Sequence, residues 1–171
     1  MATLTVTQFD SPDGAAQVLS TLKRLQDEAL IAIDDAAIIS WPADAKEPRT
    51  TQLRNLAVSG TLGGAFWGML FGLVFTVPVI GLAVGAASGA VAGVLADSGI
   101  DDEFVQETRK RVTPGTSALF LLTSDAVRER VADALRGELR HATLLHTNLS
   151  PDQERTLRDT FGVAAEEPAD C

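Results

Sequence analysis

Few residues in this chain are of a type and spacing that could do chemistry. His141 and His146 are five apart on a stretch that reads as a strand. Side chains alternate faces along a strand, so an odd separation sends the two imidazoles to opposite sides and they cannot chelate one metal. Asp101-Asp102-Glu103 offers three carboxylates, the oxygen chemistry that Ca²⁺ and Mg²⁺ favour. At the start of a helix, however, adjacent acids serve as caps and partners of the positive helix end, and that reading is preferred here. Asp34-Asp35 reads as a turn or strand-edge pair by the same logic. Ser117 and Ser124 have no histidine at a spacing that would make a nucleophile, base and orienter. Arg109-Lys110-Arg111 is a basic cluster too small to recognise anionic headgroups and reads as a solvated helix end. The only cysteine, Cys171, is the last residue, which leaves no disulfide within the chain and no thiolate zinc site. No catalytic, cofactor-binding or metal set emerges, and a non-enzymatic protein without a cofactor is expected.

The elements around these residues divide the chain into two materials. From Asn55 to Ala96 there is no Asp, Glu, Lys, Arg or His, while the flanks are strongly polar and the whole carries a formal charge of −9. That charge argues against nucleic acid as a partner, since phosphate recognition needs clustered Lys and Arg. Inside the uncharged stretch, Gly60, Gly64, Gly68 and Gly72 recur every fourth residue, and Gly81, Gly85, Gly89 and Gly93 repeat the pattern. Residues four apart share a helix face, so each run makes a stripe without side chains, suited to close helix packing. In water each glycine costs about 1 kcal/mol of helix propensity relative to alanine, which argues that the eight serve a packing purpose. Phe75-Thr76-Val77-Pro78 separates the runs, and proline interrupts a continuous helix. A helical hairpin is therefore expected, with arms over Asn55–Phe75 and Val79–Ala96, each near the ~20 residues that cross a bilayer. Leu62, Phe66, Trp67, Met69, Leu70, Leu73 and Val74 lie on the first arm's apolar face. The runs lack the GK[ST] ending of a phosphate loop. Trp67 sits mid-arm, and Trp41, near the linker, is the better placed for a membrane interface.

The flanks read as alternating elements. Leu4 and Val6 alternate with Thr3, Thr5 and Thr7 as a half-buried strand, and the short first segment lacks the basic start of a secretory leader. Ser11-Pro12-Asp13 opens a helix to about Ala29, with Ser11 as cap and Pro12 in the first turn. Its apolar face is Ala15, Val18, Leu19, Leu22, Leu25 and Leu30. Ala32–Trp41 is a second strand and Pro42–Thr51 a linker. After the hairpin come a short helix over Ile100–Val112, a turn at Thr113–Thr116 and a strand over Ser117–Thr123. A helix from Ser124-Asp125 to Arg140, a strand over His141–Thr147 and a last helix to Phe161 follow. Ser150 and Gln153 are spaced for a capping box at the start of that last helix. This is an α+β fold of the ferredoxin-like, split βαβ kind, with the Gly/Ala-rich hairpin inserted. The expected organisation is residues 1–50 and 99–162 as halves of one domain, 51–98 as the hairpin and 163–171 as a disordered acidic tail.

Gly63-Gly64-Ala65-Phe66-Trp67-Gly68 with the second glycine run, Gly99-Ile100-Asp101-Asp102-Glu103-Phe104 and Pro114-Gly115-Thr116-Ser117-Ala118-Leu119-Phe120-Leu121 together resemble one bacterial family. It is the domain of unknown function numbered twelve sixty-nine, described as membrane-associated, and the resemblance runs from Leu4 to about Phe161. It implies an α/β domain carrying a glycine-zipper hairpin; it implies no reaction and no catalytic residue, so none is carried over. The expected function is a structural or interaction protein that self-associates through the hairpin, in or at the cytoplasmic membrane, with the acidic domain cytoplasmic. Its partners would be its own copies and membrane lipid. A soluble cytoplasmic homo-oligomer with buried hairpins is the alternative, as is a small-ligand-binding sensory module.

Overall fold

The computed structural model describes residues 2–28, 33–52, 64–75, 97, 99–124, 133, 136–137, 142–153 and 155–156. The fold is mixed α+β. Five strands, β1 (Ala2–Phe9), β2 (Ile33–Trp41), β3 (Arg49–Gln52), β4 (Thr116–Ser124) and β5 (Ala142–Asn148), form one sheet in the order β3-β2-β4-β1-β5. Every neighbouring pair is antiparallel. Helix α1 (Gly14–Asp27) follows β1, and helices α2 (Gly64–Phe75) and α3 (Asp102–Arg111) lie between β3 and β4.

The sheet is covered on both faces, and this explains its sequence. On one side Ala15, Val18, Leu19, Leu22 and Leu25 of α1 pack on Phe9, Ile33, Ala36, Ile38, Leu119 and Leu121. On the other, α2 and α3 cover Leu4, Val6, Ala37, Ile39, Phe120 and Leu122. Strands buried on both faces read as continuous apolar runs, as Ala118–Leu122 does. β1 departs from the half-buried expectation for this reason: it is central, and Thr3, Thr7 and Gln8 are buried along with Leu4 and Val6.

Two local expectations are corrected. The segment after Trp41 is not wholly a linker, because Arg49–Gln52 pairs with Ala37–Ser40 as an edge strand. Arg49, Thr50 and Thr51 are all exposed, and no periodicity is detectable in four residues. The cap of α1 also differs. Asp13 occupies the N-cap without a side-chain cap bond, and Ser117 of β4 takes that role from across the fold. Its hydroxyl accepts from the Ala15 N–H at 2.9 Å and donates to the Ser11 carbonyl at 2.6 Å. A helix end normally satisfied by its own sequence is here satisfied by the central strand.

The other terminal signals hold. Asp101 accepts from the Phe104 N–H at 2.8 Å, with Asp102 and Glu103 in the first turn of α3 and Arg109, Lys110 and Arg111 in its last. Gln153 accepts from the Ser150 N–H at 2.8 Å, while the Ser150 hydroxyl accepts from the Gln153 N–H at 3.2 Å, a reciprocal capping box. The second hairpin arm and the acidic tail lie outside the described residues, as does nearly all of the 124–140 helix.

Candidate functional site

The element with the clearest division of roles is α2, which falls within the stretch expected to form the first arm of a hairpin. Its residues Phe66, Trp67, Leu70, Phe71 and Val74 follow helical spacing and are all buried. They meet the sheet through aromatic contacts. The Trp67 ring lies 6.3 Å from that of Phe120 at 79°, and the Phe71 ring lies 5.0 Å from Phe120 at 75°. Such edge-to-face pairs add about 0.5–1.5 kcal/mol beyond area burial. At the end of the helix Phe75 meets Trp41 edge-on at 6.0 Å, and the Trp41 indole donates to the Ala45 carbonyl at 3.1 Å.

Two polar contacts fasten the helix to its neighbours. The Trp67 indole N–H donates to the Asp35 carboxylate at 2.9 Å, and the other carboxylate oxygen accepts from the Ala36 N–H at 2.8 Å. Asp35 is 1% exposed, so it is neither a turn nor a strand-edge residue. A bulge explains its position: Ile33 pairs with Thr123 and Asp35 with Leu122, leaving Asp34 as the extra residue. One extra residue changes side-chain parity. Ile33 therefore packs toward α1 with Ala36 and Ile38, while Asp35 turns toward α2.

The second contact is at the carboxyl end of α2. Arg109 donates through Nε to the Val74 carbonyl at 2.8 Å and through Nη2 to the Leu73 carbonyl. Both carbonyls belong to the last described turn of α2, and a cation near the carboxyl end of a helix complements its dipole. Arg109 is therefore a cap for a neighbouring helix rather than a solvated end. Lys110 and Arg111 pair instead with Glu107, at 3.1 and 3.6 Å. Because Arg109 is exposed, Arg109→Met is expected to cost only about 1 kcal/mol, lowering Tm by roughly 2–4 °C in calorimetry. An unchanged Tm would show that the cap contributes nothing.

The opposite side of α2 carries the glycines. Gly64 is the first described residue of the helix, and Gly68 and Gly72 are exposed. A Cβ added at Gly68 would meet nothing within 4 Å. Gly60, Gly81, Gly85, Gly89 and Gly93 lie outside the described residues. So does His141, while His146 lies on β5. Among the described residues, no group of three or more His, Cys, Asp or Glu could hold a metal ion. Likewise, none of the described helices is long and apolar enough to cross a membrane.

Sequence reasoning missed Asp35 and Arg109 as partners of α2. Asp35 had a signal, a carboxylate inside the run from Ile33 to Ile39, since charged groups enter such runs only when they are bonded. Arg109 had none, because its target carbonyls carry no sequence information.

No curated protein and no solved structure matches the chain. The profile of the family described as protein of unknown function (DUF1269) matches residues 61–162, from just before α2 through β5 and the turn of helix after it. β1, α1, β2 and β3 precede the matched region. With most of its length inside that match, the chain belongs to the DUF1269 family.

Proposed function

We propose that this is a non-enzymatic structural and interaction protein that self-associates through the glycine stripe of an inserted hairpin. The carrying observation is the two-sidedness of α2. Its large apolar side chains are committed to its own sheet, which leaves the exposed Gly68 and Gly72 as the side a further helix can approach closely. The scaffold is ferredoxin-like: the order β2-β4-β1-β5 with antiparallel neighbours supports that reading, with β3 as an added edge strand.

In the primary reading the assembly lies in or at the cytoplasmic membrane, with the acidic domain on the cytoplasmic side and lipid around the hairpin. The second reading, a large soluble assembly with hairpins packed together, is favoured by one observation. Phe66, Trp67, Leu70, Phe71 and Val74, which a spanning arm would turn toward lipid, are buried within the domain.

Gly68→Leu tests self-association cleanly, because the new side chain enters open space within the protomer. Expected is a preserved circular dichroism spectrum and a Tm that is unchanged or a few degrees higher, with elution shifting to a smaller species in sizing chromatography. Unchanged size would overturn the stripe as the contact. Fractionation with a carbonate wash and then detergent separates the two readings. Release only by detergent supports the membrane, and a large particle in the soluble fraction supports the alternative.

A further inference from the structure

We draw no further inference here: the strongest candidate, the half-buried Trp41–Phe75 pair where the last described turn of α2 meets the loop between β2 and β3, carries nothing, because that loop interleaves Lys46 and Arg49 with Asp44 and Glu47, so that charge selects no partner, and nothing in the structure shows what covers the pair.

Discussion

Trp67→Ala is expected to destabilise the protein by about 3–5 kcal/mol in urea unfolding, the usual cost of deleting a fully buried large aromatic side chain. The indole is 1% exposed, contacts the rings of Phe66, Phe71 and Phe120, and hydrogen-bonds Asp35. Since domains are stable by only about 5–15 kcal/mol, this is a large share of the total. Trp67→Phe keeps a ring in the site and removes the donor to Asp35, and is expected to cost less, about 1–3 kcal/mol. Asp35→Asn keeps the shape but replaces one acceptor oxygen by an NH2, which sets a donor against either the Trp67 or the Ala36 N–H and so disrupts the pair. A double-mutant cycle of Trp67→Phe with Asp35→Asn should return a coupling of about 0.5–3 kcal/mol, because the two side chains are in direct contact. A loss below about 1 kcal/mol for Trp67→Ala would contradict the packing of α2 on the sheet. That outcome would return the helix to the lipid-facing role that the uncharged stretch suggests, so the experiment bears on function as well as on the core.

The second large effect concerns Gly14, in the first turn of α1. A Cβ built there would lie 2.6 Å from the Phe9 Cβ and 2.9 Å from its Cγ, where β1 turns into the helix. Gly14→Ala gains roughly 1 kcal/mol of helix propensity and loses more to the forced separation of α1 from β1. Overpacking of this kind costs about 1–3 kcal/mol, so net destabilisation of about 1–2 kcal/mol is expected, read as a lower urea midpoint at unchanged slope. Gly14→Val should be worse, since its branched side chain adds bulk on the crowded side. Equal or raised stability for Gly14→Ala would show that the β1–α1 corner can open without cost. The same substitution at Gly68, where nothing lies within 4 Å, carries no such penalty within the protomer. The two glycines are thus opposites: Gly14 is required by its own chain, and Gly68 is left open by it.

Much of the architecture was legible locally. The strand-helix-strand order, the apolar face of α1, the Asp101 cap and the Ser150–Gln153 capping box depend on residues within a few positions of one another. Periodicity and cap chemistry report such relations directly. The glycine spacing showed a bare helix face, and the structure places Gly68 and Gly72 on the exposed side of α2.

What the sequence by itself determined, then, is most of the described helices and strands and the apolar sides of α1 and α2, while β3 and the second buried face of β1 escaped it. What only the tertiary structure decided is where those sides go. An uncharged arm buries its aromatic face equally well in lipid or against a sheet, because transfer of apolar surface out of water is non-directional. The choice rests on contacts made across long separations. The Asp34 bulge turns Asp35 toward α2, Arg109 of α3 reaches the carbonyls of Leu73 and Val74, and Ser117 caps α1 from β4. Each joins groups 32 to 102 residues apart, and the groups acquire a partner only once the sheet has formed.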